Sequence, residues 1–289
     1  MTQGVHSEGL HAAGCFADYR RGVIVPSGDG TMVVTMRVAM FLATMCFAGS
    51  AISATQQARV LLPDNPTPDQ RADIEQRLND WPLLARFAKD NATYPLPKPG
   101  EKRVVFFGDS ITDFWGRPVG DFFPGKGYIN RGISGQTTPQ MLVRFRADVI
   151  ALKPAVVVIL AGTNDIAGNT GASTLAMIED NLSSMTELAR AHGIRVVIAT
   201  LLPVADYVDN KQTTRRPLSY ILALNTWIRG YAAREHLPLL DYYPLMVDGN
   251  GALKRELSDD GLHPNAQGYA VMAPLAQRAI ERALTKDGS

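Results

Sequence analysis

The chain has 289 residues, of which 46% are hydrophobic and 20% charged, enough apolar material for one large α/β domain or two small ones. Its 29 basic and 28 acidic residues leave a formal net charge of +1, so no global field exists to hold nucleic acid or an anionic membrane surface, and no nucleic-acid partner is expected. With only Cys15 and Cys46, both near the N-terminus, the rest of the chain offers neither a disulfide nor a thiol nucleophile.

In chain order, residues 1–35 show no sustained helical or strand period. Arg37 then introduces an apolar run, Val38 to Gly49, which leads into the small residues Ser50, Ala51, Ser53 and Ala54. A positive residue, a short apolar stretch and a small-residue exit form the pattern of a secretory signal peptide, read here over about 36–54 within a leader of 1–54. The alternative is a buried N-terminal helix. The run is too short to span a bilayer, which takes about 20 residues, so the expectation is a secreted or periplasmic protein with no stable membrane insertion once matured. Cys46 follows Ala43-Thr44-Met45, which lacks the small residue expected directly before a lipidated cysteine.

Residues 55–100 read as a helical extension packing on the core, ahead of a main domain over 101–289. Thr67-Pro68-Asp69-Gln70 is an N-cap with proline at the first helical position and an acid in the first turn, which predicts a helix to about Asn79. Asp80-Trp81-Pro82 repeats the signal and predicts a second helix to about Ala88. Tyr94 to Gly100, with Pro95, Pro97 and Pro99, reads as an extended connector.

Short apolar runs then alternate with helical patterns: Arg103 to Phe107, Tyr128 to Asn130, Ala155 to Leu160, Arg195 to Thr200 and Pro238 to Leu240. Leu175, Ile178, Leu182, Met185 and Ala189 form a helical stripe closed by Gly193, and Tyr220, Leu224, Trp227, Ile228 and Tyr231 repeat its spacing. Apolar strands separated by one-faced helices predict an α/β fold, a three-layer α/β/α sandwich around a five-stranded parallel sheet, with ligands at the carboxyl ends of the strands.

Those ends carry the chemistry. Gly108-Asp109-Ser110-Ile111-Thr112 follows the first run, although a lone serine there is more often a helix cap than a catalyst. The second run ends in Asn130 to Thr138 with Gly132 and Gly135, whose backbone can turn sharply and expose its N–H groups. The third ends in Gly162-Thr163-Asn164-Asp165, and Asp260-Gly261-Leu262-His263-Pro264 precedes the last helix. No GxSxG elbow is present, which excludes the common α/β-hydrolase arrangement, and with neither an HExxH pair nor a GxGxxG fingerprint no metal or cofactor is expected.

Together these four segments resemble the blocks of the SGNH hydrolases, the GDSL-type esterases and lipases, from about Arg103 to the end of the chain. The resemblance implies the flavodoxin-like SGNH fold, Ser110 as nucleophile, His263 as base and Asp260 as the residue that orients it. It also implies an oxyanion hole made by the N–H groups of Ser110 and Gly135 and the side-chain amide of Asn164. Gln136 stands where many relatives carry aspartate, so the bonds that fix that loop are expected to differ. A serine hydroxyl needs a neutral imidazole to take its proton, and the carboxylate fixes the imidazole tautomer, which accounts for these residue types.

The implied activity is hydrolysis of short acyl esters, acetyl groups on carbohydrate foremost, with a small-molecule or glycan ester as partner. The alternatives are a lysophospholipase or arylesterase with the same machinery, and a non-catalytic carbohydrate-binding protein on the same fold. His6 and His11 fall in the leader, while His192 and His236 sit at helix ends and read as structural. Asp109 and Asp165 read as acceptors that fix loops, and Trp115 as either a pocket wall or core. The long segment Pro203 to Pro217, with Asp206, Tyr207, Asp209, Asn210, Lys211, Arg215 and Arg216, reads as a polar rim for the substrate.

Overall fold

The computed structural model describes residues 64–208 and 211–285. The leader with its signal-peptide reading, both cysteines, Asp209 and Asn210 lie outside the described residues.

Helix α1, Pro68–Asn79, opens on a capping box. Gln70 N donates to Thr67 Oγ1 at 3.2 Å, and Thr67 N donates back to Gln70 Oε1 at 2.9 Å. The helix buries none of its side chains. Helix α2, Ala85–Thr93, starts later than the Asp80 signal suggests and runs beyond Ala88. Leu83 adopts a left-handed φ of +57°, which interrupts the helical path. Asp80 still caps the helix, but across that turn, accepting from Leu84 N at 2.8 Å and Ala85 N at 2.9 Å.

The five strands are β1 Val104–Gly108, β2 Ile129–Gly132, β3 Val156–Leu160, β4 Arg195–Ala199 and β5 Leu239–Leu240. All pairs are parallel and the order is β2-β1-β3-β4-β5, so the expected sheet is present. The strands fall within a residue or two of their apolar runs. The largest difference is β2, which continues through Asn130 and Arg131 to Gly132. Polar residues are tolerated there because each finds partners: Asn130 Nδ2 donates to the carbonyls of Thr112 and Trp115, and Arg131 donates to Asn91 and Asp90 of α2.

Between and after the strands lie α3 Ser110–Asp113, α4 Thr138–Asp148, α5 Thr163–Ile166, α6 Leu175–Ala191, α7 Gln212–Arg215, α8 Leu218–Arg234, α9 Tyr243–Met246 and α10 Ala266–Thr285. Strand alternation divides the core into two faces. Val105, Phe107, Val157, Ile159, Val196 and Ile198 meet the inner stripes of α4, α6 and α8. Val104, Phe106, Val156, Val158 and Val197 meet α10 on the other side. Burying each aliphatic side chain contributes about 1.5–3 kcal/mol, and this two-sided burial is why the strands read as unbroken apolar runs.

Trp115 belongs to this second face, buried and stacked on Tyr269 with ring centroids 4.9 Å apart, and its Nε1 donates to Asp121 O. It is core rather than pocket wall. Helix α10 begins two residues after Pro264, where Asn265 Oδ1 accepts from Gln267 N and Gly268 N, both at 3.0 Å.

Gly108 of β1 is in register with Gly132 of β2 on one side and Leu160 of β3 on the other. The segments that leave these three strands therefore emerge side by side. The crevice lies where the strand order reverses about β1, the position at which doubly wound sheets place their sites.

Candidate active site

Ser110 is the first residue of α3, buried to 6% exposure, and the preceding Asp109 caps that turn by accepting from Ile111 N at 2.9 Å. His263 reaches the serine from the far end of the chain. Its Nε2 lies 2.9 Å from Ser110 Oγ, and its Nδ1 lies 2.6 Å from Asp260 Oδ2. The other oxygen of Asp260 accepts from His263 N at 2.8 Å and Leu262 N at 2.9 Å, so the carboxylate holds both ring and backbone of the histidine. Burial pushes the Asp260 carboxyl up, but the hydrogen bonds from the His263 ring and from the two backbone N–H groups outweigh it and hold it below the usual carboxylate range.

The Asp260–His263 turn needs Gly261. Its φ is +79°, and a Cβ there would lie 1.9 Å from Ala205 O, a backbone atom with no room to give. Ala205 N donates to Gly261 O at 2.8 Å, which clamps the turn to the segment after β4. Phe114 of the turn after α3 packs on the other side of the His263 ring, 4.8 Å between centroids.

After β2, Ser134 donates through N and Oγ to Asp113 Oδ2 at 3.2 and 2.7 Å, tying this loop to the end of α3. Gly135 follows with a left-handed φ of +79°, and its carbonyl accepts from Asn169 Nδ2 at 3.0 Å. After β3, Asn164 on α5 is 3% exposed, and its Nδ2 donates to Gln136 O at 3.0 Å. Asp165 acts as the expected loop-fixing acceptor, taking bonds from Thr138 N and Thr138 Oγ1 of α4.

The departure at Gln136 has a specific consequence. Its Oε1 accepts from Arg144 Nε at 2.5 Å, as a carboxylate would, but its Nε2 donates to Pro82 O at 2.7 Å, which a carboxylate cannot do. The loop is thereby tied to the segment between α1 and α2. Arg144, fully buried on α4, also donates to Gly108 O, Arg131 O and Asp148. One guanidinium thus joins the carboxyl ends of β1 and β2.

Sequence reasoning missed Arg144, since nothing in the spacing of α4 distinguishes a buried arginine from a solvated one. It also placed Arg216 on a polar rim, and the structure corrects this. Arg216 is 2% exposed and donates to Asn164 Oδ1 from beneath. Arg215, by contrast, is exposed.

Beside His263 opens a cleft of about 860 Å³. Its lining includes the apolar Phe114 and Val119 and the charged Arg255, Glu256 and Asp259. Among the described residues, no group of three or more His, Cys, Asp or Glu side chains is placed to hold a metal ion, and no helix is long and apolar enough to cross a membrane.

The sheet order 2-1-3-4-5, all parallel, with a hydrogen-bonded serine, histidine and aspartate at its carboxyl edge, defines a class, the doubly wound α/β proteins. Within that class, the chain belongs to the GDSL-like lipase/acylhydrolase family, whose pattern it matches over residues 106–271. It is similar to a crystal structure from Bacteroides fragilis assigned as an acylhydrolase, with 48% identity and a TM-score of 0.67 over 71% of this chain and 99% of that one. It is also similar to the esterase TesA of Pseudomonas aeruginosa, 32% identical over 47% of this chain and 60% of that protein. An acetylxylan esterase of Xylanibacter ruminicola is 26% identical over 65% of this chain and 45% of its own length. The chain thus spans about half the length of these two curated relatives.

Proposed function

We propose that the protein is a carboxylic ester hydrolase in which Ser110 attacks the ester carbonyl, His263 takes and returns the proton, and Asp260 orients the imidazole. The observation that carries this reading is the unbroken chain from Asp260 through His263 to Ser110, with separations of 2.6 and 2.9 Å. The bond from Ser110 Oγ to the carbonyl carbon forms as the hydroxyl proton passes to His263 Nε2. The carbonyl oxygen then carries negative charge and is met by the N–H groups of Ser110 and Gly135 and by Asn164 Nδ2. Losing one such donor typically costs about 10²–10³ in rate. His263 hands its proton to the departing alkoxide as the ester C–O bond breaks, and water, deprotonated by the same imidazole, releases the acyl group.

The cleft bears on the substrate. Because His263 protonates the leaving oxygen, the alcohol lies on the His263 side of Ser110, where Arg255, Glu256 and Asp259 offer a polar wall. A polyhydroxy alcohol fits that wall, so the reading favoured is deacylation of short esters, acetyl groups foremost, on carbohydrate. The acetylxylan esterase relative points the same way. The test is a chain-length series of nitrophenyl esters run beside acetylated oligosaccharides. The expectation is a steep fall in kcat/KM beyond about four carbons, as longer apolar chains overfill the acyl site. Preference for eight or more carbons would instead support a lysophospholipase.

The same proposal takes residues 101–289 as the hydrolase domain, 55–100 as an extension docked through the segment around α2, and 1–54 as an export leader. The intact mass of the exported protein checks the leader: the expected mature N-terminus lies near Ala54, and one well before Ala51 would contradict it.

A further inference from the structure

Arg216 lies between α7 and α8, in the segment that follows β4, and its guanidinium is buried among neutral acceptors. Nε donates to Thr163 O and Thr163 Oγ1, both at 3.2 Å, Nη1 to Gln212 Oε1 at 2.5 Å, and Nη2 to Asn164 Oδ1 at 3.1 Å. The carboxylates of Asp109 and Asp260 are near enough for their charges to act on it, while the adjacent Arg215 opposes it. Burial lowers its pKa from the usual range to about 10, which leaves it charged at neutral pH. Desolvating a guanidinium is expensive, and such a cost persists where the group serves a site.

Asn164 shows what this cation does. A guanidinium can only donate, and the Gln136 carbonyl on the opposite side of the Asn164 amide can only accept. Turning the amide over would set donor against donor at Arg216 and acceptor against acceptor at Gln136. Chemistry therefore determines which end of Asn164 is which. Arg216 takes the oxygen and one N–H of Nδ2 is spent on Gln136 O, which leaves the second N–H of Nδ2 to donate elsewhere.

We propose that Arg216 is the positioning residue of the oxyanion donor: by holding Asn164 Oδ1 and both oxygens of Thr163, it locks the Asn164 amide with its N–H toward the developing charge. Its neighbour Arg215 extends the arrangement. Arg215 Nη2 donates to Asn169 Oδ1 at 3.0 Å, and Asn169 Nδ2 donates to Gly135 O. Because Arg215 is exposed, its share is small. The inference rests on the reading of Asn164 as an oxyanion donor.

A double-mutant cycle with nitrophenyl acetate tests it, with kcat and KM measured for Asn164→Ala, Arg216→Gln and the pair, and folding followed by thermal unfolding. Asn164→Ala is expected to lower kcat by about 10²–10³. Arg216→Gln is expected to lower kcat by about 10- to 100-fold with KM within about threefold, as loss of a contact that acts only in the transition state requires. In the Asn164→Ala background the same substitution is expected to cost less than about threefold, because the group it positions is gone. Arg216→Lys, which keeps the charge but cannot span Thr163 and Asn164 together, takes the place of the glutamine variant in the cycle should that variant not fold, and it is expected to lower kcat about tenfold. Equal losses in the two backgrounds, or an undiminished kcat in a folded Arg216 variant, overturn the proposal. No loss in Asn164→Ala itself overturns the oxyanion reading, and this proposal with it, which separates the two failures.

Discussion

At the scale of single residues, the position before the serine carries a cost of burial. Asp109 is fully buried; one oxygen accepts from Ile111 N and Oδ2 has no partner. Burial pushes its carboxyl up to about 7, against the pull of the Ile111 N–H bond and the charge of Arg216, while the neighbouring Asp165 adds to the rise. In the unfolded chain the same group titrates near 4. Between those values the native state holds a proton that the unfolded state has released, so this residue makes the fold less stable as pH rises from about 4 to about 7, and the penalty is complete above that. Asp109→Asn keeps the cap and removes the titration. Urea unfolding across this range should show the variant gaining on the wild type as pH rises, by an amount on the order of 4 kcal/mol at most. Parallel stability curves would show that burial does not govern this carboxyl.

At the scale of elements, α4 does more than cover the sheet. Met141 and Phe145 give it an apolar stripe, but Gln140, Arg144 and Asp148 are buried as well. Through Arg144 it pins Gly108 O and Arg131 O, so the ends of β1 and β2 are held together by one side chain. Removing that cation leaves the buried Asp148 carboxylate with the neutral Asn91 amide but without its counter-charge. Arg144→Met should therefore cost about 3–5 kcal/mol of stability, and adding Asp148→Leu should recover part of it. Denaturant midpoints of the two variants measure this, and a neutral Arg144→Met would contradict the role assigned to the helix. This element was hard to read in the sequence for the same reason: its inner face mixes charge with apolar groups, so no helical stripe stands out. Helix α6 was legible from spacing, whereas α8 was legible only in part: Leu224, Ile228 and Tyr231 are buried, but Tyr220 is exposed and Ile221 and Asn225 face inward instead. Helix α2 was legible in its cap but not in its start, because the turn at Leu83 is a backbone choice that no side-chain pattern announces.

At the scale of the whole molecule, the parallel sheet turns four distant segments into one site. Strand runs, sheet type and the three layers were legible because two-sided burial writes itself into composition. The serine, glycine, asparagine, aspartate and histidine stood out only as a set, because the four blocks together resemble those of one family; alone, the serine reads as a helix cap. The supports were not. Gln136 bonding Pro82, Arg144 bridging two strands and Arg216 beneath Asn164 depend on which long polar side chains turn inward, and tertiary packing decides that.

The central claim is that the His263 and Asp260 contacts make Ser110 the nucleophile. An alkyl fluorophosphonate, which captures an activated serine hydroxyl, tests it most directly when followed by intact mass and peptide mapping. The expected result is one adduct per chain, located on Ser110 and absent from Ser110→Ala, whose kcat falls by about 10⁴ or more. An adduct on another residue, or a Ser110→Ala protein that keeps its esterase activity, would contradict the account.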